Sequence, residues 1–298
     1  MSSDSTAARY AVSETRDLVE THRLLDREAD AEVLIAPLRG GMVTEFRIGD
    51  DQLLYLDRAT LRDHAQNVRG GIPILFPVAG RLSGDTFPVG DNHVAMSQHG
   101  FARRMPWRVS GIDTTSAASL SVTLDANDAT LAQWPFRFRV TFEYRLQDGA
   151  LAIRQRFSND GDRPMPIHPG LHPYFRVENG QKSAARVLTN GTTARDTRSG
   201  ATGPLTLPID LAAGEVDLQI LDNGGPTVGL QRPDRASLSL VLDPTQAIVT
   251  VWTLPGRDFV CVEPWTRPSD AVNRGEALWV APQQTHEAVF EIRRESRS

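Results

Sequence analysis

The chain has 298 residues, 40% of them hydrophobic and 23% charged, with 32 basic against 37 acidic side chains and a net charge of −5. That length supplies core for one large all-β domain or two average ones, and the acidic balance excludes the basic footprint of a nucleic-acid binder and any pull toward anionic lipid. The single cysteine, Cys261, has no internal disulfide partner, which fits a reducing compartment, and no apolar run approaches the ~18 residues of a membrane-spanning helix.

The start, MSSDSTAARYAVSE, has no apolar core of a signal peptide, so residues 1–20 read as a polar tail and the protein as cytoplasmic. Helical patterning is weak, limited to Glu14–Asp26 and a short turn at Ala59–Gln66. Strand-like runs follow at Glu32–Leu38, Met42–Ile48, Gln52–Leu56 and Ser119–Asp125. Phe136–Leu146 is the clearest of all, because Phe136, Phe138, Val140, Phe142, Tyr144 and Leu146 hold every second position, as a half-buried strand requires. Asp148-Gly149 is a turn dipeptide, and alternation resumes over Ala150–Asn159, so the segment reads as a hairpin. Further strands are expected at Ser237–Asp243, Ile248–Leu254, Phe259–Trp265 and His286–Arg293, with residues 178–216 as an irregular excursion at one rim. So many close strands without intervening helices favour a sandwich over a βαβ fold. The expectation is one large antiparallel β-sandwich domain over residues 21–295.

Four segments could carry chemistry. Asn67–Arg81 places paired glycines beside Arg69, which suits close backbone approach to a ligand; it lacks both nucleotide-loop spacings, and a buried proline-rich loop with solvent-facing arginines explains it equally. Gln98–Arg103 puts His99 beside a glycine, either as a structural hydrogen-bonder or at a site. In His168–Phe175 the two histidines are four apart, but Pro169 and Pro173 rule out the helix on which that spacing binds zinc, and no third ligand is evident, so no metal is expected. A neutral imidazole there could instead move a proton near pH 7. Lastly, Glu263 lies in the apolar strand Phe259–Trp265, where a carboxyl is disfavoured and burial would raise its pKa toward that of a general base. Pairing with one of 31 arginines is the other reading of Glu263. Cys261 shares its face, as small apolar packing.

Taken in order, HGFAR, LHPYF and VCVEPWT with PSDAVNRG resemble the aldose 1-epimerase (mutarotase) superfamily, as does the opening GGMVTEFRIGDDQLLYLD. RGGIPILFP resembles the hexose-6-phosphate 1-epimerase branch. The resemblance runs from about residue 31 to 292 and implies a galactose mutarotase-like supersandwich with a sugar groove across one sheet. By motif position it makes His172 the general acid, Glu263 the general base and His99 a second histidine at the sugar ring oxygen. Arg69 and Arg103 match arginines that hold phosphate in the phosphate branch, and Arg81 matches the non-phosphate branch. A hydroxyl-binding Asp falls on Asp217 or, in a loosely aligned segment, Asp222. Ala79 stands where the phosphate branch carries a bulky aromatic, and TRPSDAVNRG is closer to general mutarotases, so the two branch signals conflict.

The reaction so implied is interconversion of hexose anomers by acid–base ring opening, with no cofactor and a small sugar or sugar phosphate as the only partner of a monomer or weak homodimer. Trp265, Tyr174 and Phe76 could face the sugar, although core packing suits Phe76 better. A non-catalytic carbohydrate-binding or sugar-sensing protein is the reading from another class. A metal-dependent double-stranded β-helix would want a different histidine spacing, and serine hydrolysis lacks its GxSxG elbow.

Overall fold

The computed structural model describes residues 8–89 and 92–295. The hairpin Phe138–Gln147 and Ala150–Asn159 pairs in register from Phe138↔Asn159 to Gln147↔Ala150. Its two-residue turn has both Asp148 (φ 52°) and Gly149 (φ 72°) in the left-handed region, the geometry whose twist matches that of the strands. Burial alternates along Phe138–Gln147, so Val140, Phe142, Tyr144 and Leu146 face the interior while Arg139 faces water. Each such side chain contributes roughly 1.5–3 kcal/mol on burial.

This hairpin is central to an eight-stranded antiparallel sheet, flanked by Ala118–Asp125 and Arg108–Asp113 on one side and by Thr285–Arg294, Leu238–Val241, Thr227–Gln231 and Arg186–Leu188 on the other. A second eight-stranded sheet is built from shorter pieces: Thr202–Pro204, Thr193–Asp196, Val216–Ile220, Ile248–Thr253, Phe259–Trp265, Gly170–Leu171 and Ile74–Leu75 in order, with Tyr174–Arg176 also paired to Phe259–Trp265. A five-stranded sheet over Tyr10–Gln52 extends one end. The sheets share a continuous apolar core. Phe76, beside the second sheet, stacks on Phe157 at 5.7 Å and meets Phe138 edge-on at 5.0 Å, both from the first sheet. Phe76 is therefore core, as its apolar neighbours suggest. The architecture is the expected all-β antiparallel sandwich, and among the described residues no helix is long and apolar enough to cross a membrane.

Three expectations change. Tyr10–Arg16, inside the segment read as a polar tail, is a strand paired to Glu20–Asp26, so no helix spans Glu14–Asp26. The reason is long-range: Asp26 is fully buried and accepts from Arg9 Nε (2.9 Å) and from the Ala29 and Gly149 amides, tying this edge to the distant hairpin turn. Residues 1–7 of the predicted tail lie outside the described residues. Gln52–Leu56 forms only the short strand Asp51–Gln52 followed by isolated bridges at Leu54 and Leu56. The turn at Ala59–Gln66 begins as a five-residue helix, Arg58–Arg62, capped by Asp57.

Candidate active site

Residues of the Phe259–Trp265 strand are buried on both faces. Val260 and Val262 point into the main core, while Phe259, Cys261, Glu263 and Trp265 point the other way, into satellite clusters and the floor of a cleft. Glu263 is 1% exposed. Its Oε2 accepts from Trp265 Nε1 at 3.1 Å, and its Oε1 lies 3.4 Å from His172 Nδ1. His172 is delivered by the turn between Gly170–Leu171 and Tyr174–Arg176, both paired to that same strand. The His172 amide donates to the Pro73 carbonyl and the Tyr174 amide to that of Gly71, which clamps LHPYF against RGGIP. The His172 ring is nearly parallel to Tyr174 at 4.6 Å, with Trp252 edge-on at 5.6 Å. Gly170 makes this possible, because a Cβ there would sit 2.5 Å from the Trp265 ring.

His99 completes the floor. It is buried, its φ is +66°, and its ring lies 5.5 Å from that of His172 and 5.8 Å from that of Trp265. Gly80 N–H donates to His99 Nδ1 at 3.0 Å, and the His99 amide donates back to the Gly80 carbonyl at 2.8 Å. A neutral His99 with an occupied Nδ1 lone pair carries its proton on Nε2, as a donor. Gly100 must be glycine: at φ +68° a Cβ would sit 2.2 Å from the Phe76 carbonyl oxygen.

Burial sets the charge of these groups. It pushes Glu263 well above the usual carboxyl range, reinforced by the Asp217 carboxylate and opposed by the Trp265 hydrogen bond and Arg103. It pushes His172 down to about 3, aided by Arg103, and His99 well below its ordinary value. Burial therefore favours a neutral carboxyl and neutral imidazoles on this floor.

The cleft above has a volume of about 430 Å³. Arg69, Arg81, Arg103 and Asp217 all line it, together with His99, His172 and Glu263. The arginines differ in their ties. Arg81 is exposed and bound to Asp85 through Nε (2.7 Å) and Nη2 (2.9 Å). Arg103 Nη2 donates to the Gln98 carbonyl at 2.8 Å while its buried Nε has no partner among the described residues. Burial draws Arg103 down to about 10, still charged near pH 7. The Arg69 side chain makes no hydrogen bond or ion pair among the described residues; its backbone is held, the amide donating to Thr60 Oγ1 and the carbonyl accepting from the Asp57 amide. Asp217 is half-buried in the wall with a raised pKa from burial. Asp222 is elsewhere, accepting from the Thr192 and Thr193 amides at 2.9 Å each. His168 does not line the cleft and is fully buried.

Sequence reasoning missed Trp252, Thr250, Gln219 and Ser269, which line or support the cleft. Thr250 and Trp252 lie opposite Glu263 and Cys261 in the adjacent strand. Their alternation in Ile248–Thr253 was visible, but only the strand pairing shows which face meets the site. A wider depression of about 640 Å³ around Asp51 and Arg235 is lined by ion pairs already made within the protein, including Arg235 Nη1–Asp51 at 2.9 Å and Arg235 Nη2–Glu178 at 2.7 Å.

The aldose 1-epimerase family model matches residues 24–293. A Cenchrus ciliaris protein named "Putative glucose-6-phosphate 1-epimerase" is 28% identical over 156 residues, which span 48% of this chain and 43% of that protein. An Escherichia coli protein of the same name is 26% identical over 130 residues, 43% of this chain and 40% of its own. These matches therefore span less than half the length of either relative. The crystal structure of the Slr1438 protein from Synechocystis superposes with a TM-score of 0.91 at 35% identity, covering 97% of this chain and all of that one. A galactose mutarotase-like protein from Clostridium acetobutylicum shares the fold with a TM-score of 0.81 at 18% identity, over 97% of this chain and 99% of that one. By sequence and by fold, this chain belongs to the aldose 1-epimerase family.

Proposed function

We propose that the protein is an isomerase that interconverts the α and β anomers of a hexose, with Glu263 and His172 moving the protons. The observation that carries this reading is the buried carboxyl–imidazole pair, 3.4 Å apart on the floor of a cleft open to solvent. Ring opening removes a proton from the C1 hydroxyl and delivers one to the ring oxygen. The C1–O5 bond then breaks, the aldehyde carbon turns by half a revolution, and closure reverses the transfers. One base and one acid are required, each contributing about 10²–10⁴-fold.

The pair holds the same number of protons as carboxyl with imidazole or as carboxylate with imidazolium. Burial favours the neutral form. Glu263 as ionised base and His172 as protonated acid describe the other form, reached when sugar hydroxyls replace lost solvation, with the Arg103 charge favouring the carboxylate and opposing the imidazolium. Microscopic reversibility makes each group acid in one direction and base in the other. In this reading His99 Nε2–H donates to the ring oxygen and Asp217 accepts from sugar hydroxyls.

A second reading, a hexose 6-phosphate as substrate, is supported by Arg69 and Arg103 lining the cleft with no carboxylate partner among the described residues, whereas Arg81 is already paired with Asp85. A guanidinium suits a phosphate through paired hydrogen bonds. The names of the 28% and 26% identical relatives point the same way. Exchange NMR on glucose, galactose and their 6-phosphates tests both readings. Faster anomer exchange in wild type, lost in Glu263→Gln, supports the activity, and a preference for the 6-phosphates supports the second reading. Sugar binding with no acceleration would instead make the protein a carbohydrate-binding or sensing module.

A further inference from the structure

We propose that His172, Cys261 and Glu263 form a latent site for one thiophilic divalent cation, such as Zn²⁺, and that filling it blocks the sugar chemistry. The cation-binding half stands apart from the reading of function above; the inhibitory half rests on it. One ligand atom from each residue lies within 4.8 Å of the other two, and all three residues are buried. An ion at the centre of such a triangle is at most about 2.8 Å from each atom. Zinc bonds of about 2.0–2.3 Å to nitrogen, oxygen and sulfur therefore need an inward shift of at most about 0.5–0.8 Å.

The donors suit the ion. His172 Nδ1 is buried with no hydrogen-bond partner among the described residues and lies 3.4 Å from Glu263 Oε1, so in the tautomer with its proton on Nε2 it can ligate. Glu263 Oε2 is already held by Trp265 Nε1, the kind of outer hydrogen bond that orients a ligating carboxylate. Cys261 and Glu263 project from one face of one strand, and His172 is fixed by its stack on Tyr174, whose backbone pairs with Cys261. A thiolate, a carboxylate and a neutral imidazole balance a charge of +2, with the thiol and carboxyl protons released to solvent on binding. The sulfur selects Zn²⁺ or Co²⁺ over Mg²⁺ or Ca²⁺. His172 and Glu263 line the cleft, which gives an ion a route to them from solvent. Cys261 has no part in the proposed anomer exchange, so it can be changed without removing the proton-transferring pair.

The test adds Co²⁺ to the full chain and follows its absorption. The expected result is one equivalent bound with a thiolate-to-cobalt charge-transfer band, displaced by Zn²⁺ and absent from both Cys261→Ala and Cys261→Ser. Zn²⁺ should also slow anomer exchange in wild type, reversibly with a chelator, while Cys261→Ala keeps its basal exchange and needs at least ~10-fold more Zn²⁺ for the same inhibition. No charge-transfer band in wild type, or a band that survives in the Cys261 variants, overturns the site. Equal Zn²⁺ sensitivity of wild type and Cys261→Ala overturns the inhibitory role. A cobalt band that depends on Cys261 in a protein with no exchange activity would keep the site and sink the anomerase reading instead.

Discussion

The two eight-stranded sheets are made from the same residue types but use burial differently. In the sheet centred on Phe138–Asn159, two ten-residue strands alternate buried and solvent-facing positions. In the other, strands of two to seven residues carry the cleft, and the central one is buried throughout. The first sheet spends its burial on aliphatic and aromatic side chains and gains stability. The second places Glu263, His172 and His99 where desolvation holds them neutral, a cost in stability that creates reactive groups. Stability and chemistry are thus separated between two faces of one sandwich.

Substitutions can break that separation. The largest effect on activity should come from Glu263→Gln, which should lower anomer exchange about 10²–10⁴-fold while leaving the melting temperature unchanged or higher. Phe142→Ala, in the other sheet, should do the reverse: a loss of about 3–5 kcal/mol in denaturant unfolding, with the remaining folded protein fully active.

Arg103→Ala should raise KM for a 6-phosphate about 10–100-fold, the worth of one charged hydrogen bond, with KM for the free hexose nearly unchanged. A similar loss for both sugars would assign Arg103 to the sugar itself. Removing the Glu263 hydrogen bond in Trp265→Phe should cost roughly 10-fold in kcat and shift the pH profile upward, since that bond opposes the raised pKa of Glu263.

The pH dependence of stability follows from the same burial. Glu263 has a folded pKa above its ordinary 4.5, so its contribution is fully present below that value and is lost as pH rises. Thermal melts of wild type minus Glu263→Gln should therefore show a difference that grows toward alkaline pH. His172 and His168 have folded values of about 3 against an ordinary 6.5, so their contribution is present above 6.5 and lost as pH falls toward 3. The smallest effect is expected for Arg81→Ala. Its pair with Asp85 is exposed and screened by solvent, and activity within twofold of wild type would show that Arg81 is not a substrate ligand.

Period-two alternation and the Asp148-Gly149 turn made the central hairpin legible in the sequence, because those signals are local: the pleat puts every second residue on one face. The cleft strand was legible for a related reason, since a lone carboxyl in Phe259–Trp265 is anomalous wherever that strand lies. His172, Glu263 and His99 were found by motif, and the cleft does bring all three together with Arg69, Arg103 and Asp217. The N-terminal strand was not legible, because Tyr10–Arg16 is held by Arg9 reaching Asp26, which in turn binds the Gly149 amide, contacts of long sequence separation that leave no periodic trace.

Sequence alone determined the class of the fold, the absence of a spanning apolar run, and the residue types available for proton transfer. Tertiary structure decided which of them meet. It set Arg81 against Asp85, left Arg103 Nε without a partner among the described residues, separated Asp222 from Asp217, and placed Cys261 within reach of His172 and Glu263. The physical reason is that charge state and partnership depend on burial and on distances of a few ångströms across strands far apart in the chain, and neither is written in any single segment.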